Sequence, residues 1–379
     1  MTSLPHYLFA VWMVGGIQTV FQNMKGALAG HSGTNLSWVP VDMYPDDWIT
    51  RIPPISLNGT WRNSMATWNR MRPCTQRHGT IDAAYVLDPI LVTFLWRFRR
   101  QVPYLLATDM TPMFCAKREF WYAVPEFDPS SNGSRLKQAI TASVYRSAFH
   151  CLPWSAAVRD SLVEDYGVPE KKITVLPPGI DLSTWQAHDR LTDLTKPVRK
   201  PFTVLHVGTD FHRKGADLLL ALAREPEFCD AEFHFVTSDF PAEQPPNVFI
   251  HRDLSPNSDP LKALYHQADV FALPTRADTY SMVALEAMAS GLPVVISRVG
   301  GIEDIIVEGE TGFLMTPDDL SSLRNRLRYL RAQPGQAITM GAKGRRRVEN
   351  KYDISQHVDL VMQLLASAAR SRARKGNHE

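Results

Sequence analysis

The stretch DVFALPTRADTYSMVALEAMASGLPVVIS, residues 269–297, reads as strand, loop, helix and strand in succession. Its two ends are short apolar runs, DVFALP (269–274) stopped by proline and LPVVIS (292–297) opened by Gly291-Leu292-Pro293. Runs of this kind, bounded by breakers, mark buried strands. Between them stand two acids, Asp278 and Glu286, eight positions apart. On one continuous helix that spacing turns about 800°, which leaves the carboxylates about 80° apart in azimuth and two turns apart in height. A helix that begins near Ser281 instead leaves Asp278 in the preceding loop and carries Glu286 about a turn and a half inside, so both border the space above the helix N-terminus. Glu286 then shares a face with Met282, Val283, Ala289 and Ser290, and a carboxylate on so apolar a face needs a partner. Taken singly, Asp278 reads equally as a turn or capping acid and Glu286 as a satisfied core acid.

The same alternation surrounds this stretch. FTVLHVG (202–208), EFHFVT (232–237), NVFIHR (247–252), DVFALP, PVVIS and GFLM (312–315) read as six strands, with helical segments such as 216–224 and 260–267 between them. The first half starts alike: YLFAVWMV is a strand, Gly15-Gly16 a tight turn, and Ile17, Val20, Phe21, Met24 and Leu28 fall at helical spacing. IDAAYVL, DPILVTFLWRFRRQ and VPYLLATD (81–109) read as strand, crossover helix and strand. SAAVRDSLVEDYG (155–167) reads as a helix closed by glycine, and KITVLPPGID (172–181) as a strand ending in a Pro-Pro-Gly turn. Strands alternating with helices imply parallel sheets covered on both faces. The expected architecture is therefore α/β, with two Rossmann-like domains, 1–183 and 202–353, facing across a cleft. The polar stretch 184–201 is the linker, and a last helix, about 354–372, can pack back on the first domain.

With 379 residues and 44% hydrophobic content the chain has room for two or three ordinary cores. A formal charge of +2 gives no case for a nucleic-acid partner. Local basic runs occur at RFRRQ (97–101), at KGRRR (343–347) and in the tail from Arg370. They read first as solvated helix faces and a frayed end, and second as weak peripheral contact with anionic lipid headgroups at the inner face of a membrane. Cys74, Cys115, Cys151 and Cys229 form no CxxC and have no histidine at metal-ligand spacing. They read as reduced thiols of a cytoplasmic protein with no metal site. The apolar start has no Lys or Arg before Lys25 and is broken by Gly15-Gly16, which suits a buried strand better than a secretion signal. All nine tryptophans fall in the first half or just after it, and the reading assigns them to packing first and to stacking on a sugar or apolar acceptor second.

Three segments carry a resemblance: HVGTDFHRKGADLLLALA (206–223), ADVFALP through GFLM (268–315) and EDYGVPEKKITVLPPGIDLSTW (164–185). Through them the chain resembles the retaining glycosyltransferases of family 4, which have the two-Rossmann fold called GT-B. The resemblance implies that Glu286, the second acid of the family's Glu-x7-Glu pair, binds ribose hydroxyls. Asp278, one methylene shorter than the family's first acid, would contact the donor sugar. The diphosphate would sit on backbone amides of Tyr280, Ser281, Met282 and Val283, because a helix N-terminus offers free donors and positive potential. Lys214, in RKG, matches the lysine that clamps the phosphates and stabilises the departing charge. Thr209 stands where the family commonly has a second phosphate-binding arginine, with Arg213 as the candidate replacement, and Ser281 where it often has glycine. Gly15-Gly16 matches a glycine turn that brings Gly16 near the donor. Thr108-Asp109 stands where many relatives have His-Asp near the reacting carbon, which makes Asp109 the candidate there.

No Asp-x-Asp is present, so the resemblance implies metal-independent transfer of a hexose with retention of anomeric configuration. No cofactor is implied beyond the nucleotide-diphosphate sugar itself, a UDP-sugar first and a GDP-sugar next. The acceptor would be a saccharide, a lipid-linked or a small-molecule hydroxyl. A catalytically impaired nucleotide-sugar-binding protein and a nucleotide-sugar epimerase are the alternatives, and donor turnover with and without acceptor separates them.

Overall fold

A computed structural model of the chain describes residues 4–117, 132–187 and 201–376. It divides into two compact units, Met1–Gly179 with Ser355–Glu379, and Ile180–Ile354. Residues 188–200, most of the expected linker, and Trp121 lie outside the described residues.

The first unit is built on five parallel strands: β1 (His6–Met13), β2 (Asn35–Asp42), β3 (Ala83–Leu87), β4 (Tyr104–Thr108) and β5 (His150–Pro153), in the order β2-β1-β3-β4-β5. Helices α1 (Ile17–Ala27), α2 (Gly59–His78), α3 (Trp96–Gln101), α4 (Pro112–Lys117), α5 (Asn132–Ser147) and α6 (Ala156–Glu164) connect them. Every residue of AAYVL in β3 and YLLAT in β4 is buried, as expected of parallel strands covered on both faces. Leu8, Val86, Leu106, Val144 and Tyr145 lie at the centre of this core.

The second unit has six parallel strands: β6 (Thr203–Val207), β7 (Glu232–Val236), β8 (Val248–His251), β9 (Val270–Leu273), β10 (Val294–Ser297) and β11 (Gly312–Met315). Their order is β11-β10-β9-β6-β7-β8. Helices α7 (Ala216–Ala223), α8 (Asp259–Gln267), α9 (Met282–Ala289), α10 (Leu320–Ala332) and α11 (Pro334–Lys351) connect them. In this unit all six strands read from the sequence are present. The last helix, α12 (Ile354–Gly376), belongs to the first unit from Ser355 onward, where His357 Nδ1 lies 2.9 Å from the Pro177 carbonyl.

Two readings of the first half are corrected. KITVLPPGID forms no strand: Ile173 makes a single bridge to Cys151, and the Leu176 amide bonds to Pro153. Pro153 has no N–H to return, so the ladder stops there. DPILVTFLWRFRRQ is not one helix but a 3₁₀ turn, Pro89–Leu91, followed by the short α3. Asp88 adopts φ 93° and accepts the Ile90 amide, and β-branched Val92 and Thr93 follow, so the helical register is lost before Trp96.

Candidate active site

A doubly wound sheet leaves a crevice where the strand order reverses, because the loops at the carboxyl ends of those strands diverge. In the second unit this point lies between β6 and β9: the chain runs outward through β7 and β8, then returns to the other side of β6. The loops that leave these two strands are residues 208–215 and 274–281. They hold most of the residues singled out in the sequence.

The first loop is a tight turn organised by Asp210, whose carboxylate accepts the Arg213 amide at 2.9 Å and whose carbonyl accepts the Lys214 amide at 3.0 Å. It is pinned to the second loop at the Arg213 carbonyl, which accepts from Thr275 Oγ1 at 3.0 Å and from the Arg276 amide at 2.8 Å. Gly215, at φ +73°, lies so close to the second loop that a Cβ there would stand 2.0 Å from the Pro274 carbonyl oxygen. This approach carries Lys214 across the crevice, and its Nζ meets Asp278 Oδ2 at 2.7 Å. Both side chains are largely buried, with 14% and 10% exposure. Asp278 is held from behind as well: Gly300, at φ +59°, sits where a Cβ would come within 2.0 Å of the Asp278 carbonyl oxygen, and the Gly301 amide donates to Thr279 at 2.8 Å.

α9 starts where the sequence places it. Ser281 is the N-cap, its hydroxyl accepting the Ala284 amide at 3.3 Å and its carbonyl the Leu285 amide. The amides of Met282 and Val283 have no partner within the helix, as the first turn of any helix requires. Tyr280 and Met282 turn their side chains into the core, so it is backbone rather than side chain that these positions offer to an anion. Glu286 is 3% exposed and accepts a hydrogen bond from the Tyr265 hydroxyl of α8 at 3.0 Å. Burial pushes its carboxyl up to about 7, against the lowering effect of that hydrogen bond.

Sequence reasoning missed two members of this construction. Tyr265 is the partner that the burial of Glu286 demands, and its position beside Leu261 and Leu264 on α8 was the available signal. Sequence reasoning assigns Arg276 no role. In the structure it grips Asp217 with two bonds of 2.8 Å and Asp318 at 2.7 Å, and also donates to the His212 carbonyl. It thereby ties together the loops after β6, β9 and β11. Arg213 is held by Asp210 at 3.2 Å and by the Ala277 carbonyl at 3.2 Å, and Thr209 is exposed.

Asp109 and Gly16 belong to the first unit. Gly16 is the N-cap of α1, preceded by Gly15 at φ +46°. Asp109 follows β4 directly, half-buried, after a Thr108 whose hydroxyl donates to the Met110 carbonyl. A second acid of this unit, Asp88, directly follows the neighbouring β3, and its carboxyl is pushed up to about 7 by burial first and by the charge of Asp109 after backbone bonding is counted. Reading 88–101 as one helix concealed it.

Two family models match the chain: "Glycosyltransferase Family 4" over residues 14–184 and "Glycosyl transferases group 1" over residues 201–333. The chain belongs to glycosyltransferase family 4. Among family relatives, glycogen synthase of Mycobacterium tuberculosis is 27% identical over 250 residues, covering 62% of this chain and 58% of that protein. Sulfoquinovosyl transferase SQD2 of Arabidopsis thaliana is 30% identical over 249 residues, covering 61% and 47%. The chain thus spans about half the length of the curated relatives it matches. Sucrose-phosphate synthase from Thermosynechococcus elongatus superposes with a TM-score of 0.71 at 21% identity, over 96% of this chain and 100% of that one. HepE of Anabaena, solved in complex with UDP and glucose, gives 0.67 at 15% identity, over 95% and 99%. These likenesses are of fold, and the fold is GT-B.

Proposed function

We propose that the chain transfers a hexose from a nucleoside-diphosphate sugar, a UDP-sugar first and a GDP-sugar next, to an acceptor hydroxyl with retention at C1. The observation that carries this reading is the Lys214–Asp278 pair, 2.7 Å apart, beside the N-terminus of α9 at the strand-order reversal. A diphosphate placed there meets one ammonium group and the unsatisfied amides of Met282 and Val283, which together offset the charge that grows as the bond to C1 breaks. Asp278, held by Lys214, presents its remaining lone pairs to sugar hydroxyls. Glu286, a turn and a half into α9, takes the two ribose hydroxyls as acceptor, and those bonds supply the compensation its burial lacks.

In this reading the leaving group is neutralised by Lys214 and helix amides and no divalent ion is assigned. The donor complexes of HepE with UDP and with UDP-glucose support a uridine donor for a chain of the same fold. The acceptor is a saccharide, a lipid-linked or a small-molecule hydroxyl.

A thermal-shift series with UDP-, GDP- and ADP-sugars tests the donor site, because a ligand that binds only the native state raises its apparent stability. One donor class should stabilise the wild type, and Glu286→Ala should lose that shift. If no nucleotide sugar shifts the wild type at millimolar concentration, the proposal fails.

A further inference from the structure

The first unit exposes a concentration of large apolar side chains that packing does not explain. Among the described residues twelve such side chains are exposed, and eight of them lie between Met43 and Trp96: Met43, Tyr44, Trp48, Ile52, Leu57, Trp61, Trp68 and Trp96. Four tryptophans of an expected packing set are therefore at the surface. Trp68 and Trp96 line one mostly apolar cavity of about 800 Å³, with Met65, Met71, Phe94 and Phe98 in its walls. Trp61 stands against Phe94 with ring centroids 5.0 Å apart, which extends the patch beyond the cavity rim.

Arginines decorate this apolar surface. The Arg72 guanidinium lies 5.1 Å over the ring of Trp68, and that of Arg97 lies 5.2 Å over Trp96. Arg372 of α12 reaches the same cavity and donates to the Ile81 carbonyl. Two of the three basic runs, RFRRQ and the tail, so converge on one place. The third lies in the second unit, where Arg345 donates to the Trp185 and Ala289 carbonyls and Arg347 to those of Asp304 and Ile305, while Lys343 and Arg346 are exposed. From Met65 to Val102 the chain carries six arginines and two aspartates.

We propose that this face docks on an anionic lipid bilayer, the tryptophans sitting at the headgroup level, the arginines on lipid phosphates, and an acyl chain entering the cavity. Indole rings that are apolar on one side and polar at one edge suit the interface, and arginine stems lie along apolar surface while their heads reach phosphate. Charge chooses a bilayer over a neutral apolar partner, because the rim is net positive. The geometry leaves the chemistry clear: Thr80, Ile81 and Val102 in the cavity wall precede β3 and β4, whereas Asp88 and Asp109 follow them. Five strand residues separate the two edges of the sheet, about 16 Å. The inference stands independently of the donor assignment.

The test is co-sedimentation of the full chain with vesicles of phosphatidylcholine alone and of phosphatidylcholine mixed with phosphatidylglycerol, together with quenching of tryptophan fluorescence by acyl-brominated lipid. Binding to the anionic vesicles, weakened by salt, with quenching, is expected. Each arginine near such a surface is worth about a fivefold change in partition, so the double variant Arg72→Gln, Arg97→Gln should bind about 25-fold less. Trp68→Phe with Trp96→Phe should lose most of the quenching while the vesicle-free melting curve stays that of the wild type. Equal binding to neutral vesicles, wild-type binding by the arginine variant, or no binding at all overturns the proposal. So does dimerisation that depends on Trp68 and Trp96, which would make a second copy the occupant.

Discussion

Glu286 titrates near neutrality in the free protein, and a ribose that needs its ionised form must therefore bind with a steep dependence on pH. Burial holds the carboxyl at about 7. Two ribose hydroxyls donating to the carboxylate stabilise only the ionised form, so the complex binds fewer protons than the free protein and affinity rises with pH. With a midpoint near 7, the ionised fraction is about 0.9 at pH 8, about 0.5 at pH 7 and about 0.01 at pH 5, which predicts an affinity loss of about 90-fold across that range. UDP-glucose is the appropriate ligand because its diphosphate diester does not titrate between these limits, whereas free UDP does. Isothermal titration calorimetry in buffers of different ionisation enthalpy should show up to one proton released per ligand bound below pH 7. Glu286→Gln should bind more weakly at pH 8 and give a flat profile. The same carboxyl reports on stability without ligand. Its folded value is raised, so its contribution is fully present below the ordinary carboxylate range and is lost as pH rises through 7. The gap from 4.5 to about 7 corresponds to about 3 kcal/mol. For a unit of this size that is a fall in Tm of about 6–12 °C, absent in Glu286→Gln. A wild-type affinity that changes less than threefold between pH 8 and 5, or a glutamine variant with the same slope, would rule out Glu286 as the titrating ribose acceptor.

Other perturbations follow from the same geometry. Lys214→Ala should lower kcat by about 10²–10³, the usual cost of removing a group that stabilises a developing oxyanion, and should also lower the melting temperature, because it leaves the largely buried Asp278 without its cation; single-turnover kinetics on the folded variant checks the first. Gly215→Ala places a methyl 2.0 Å from the Pro274 carbonyl at φ +73°, and should cost more than about 2 kcal/mol in denaturant melts while abolishing donor binding. Tyr265→Phe removes the hydrogen bond that lowers the Glu286 value, so the midpoint of the affinity profile should move to higher pH with the slope retained. Arg276→Ala leaves Asp217 and Asp318, 27% and 59% exposed, without their shared cation; about 1 kcal/mol of stability, discounted for that exposure, and a raised KM for the donor are expected, measured by urea titration and steady-state kinetics.

How far the sequence could be read depended on whether a feature was local. The six strands of the second unit were legible because parallel strands covered on both faces must be continuous apolar runs, and runs such as VFAL and VVIS admit little else between proline and glycine. The start of α9 was legible for a similar reason: only a helix beginning at Ser281 lets two acids eight apart serve one crevice. In the first unit the same rules misread KITVLPPGID, because an apolar β-branched run is also what packs beside an edge strand without joining it, and whether a ladder continues is decided by Pro153, distant in sequence. The tryptophans misled in the opposite sense: aromatic content is evidence of burial only on average, and an indole with an arginine laid over it has a reason to remain outside.

The residues that build the crevice without touching a ligand were beyond such reading. Arg276 joins Asp217 of α7 to Asp318 before α10, residues 59 positions behind it and 42 ahead. Nothing in either local pattern selects those partners. They meet because β6 and β9 pair as Val204 with Val270, which brings two loops to the same edge of the sheet, and because Gly215 lets them touch. The sequence therefore discloses the groups that carry charge, whose types and spacing the chemistry constrains, sooner than the groups that hold them, which only the strand order selects. Lys214 belongs to both classes: its place after a glycine-ended strand was visible in the sequence, but its 2.7 Å bond to Asp278 depends on a pairing of strands that lie some sixty residues apart.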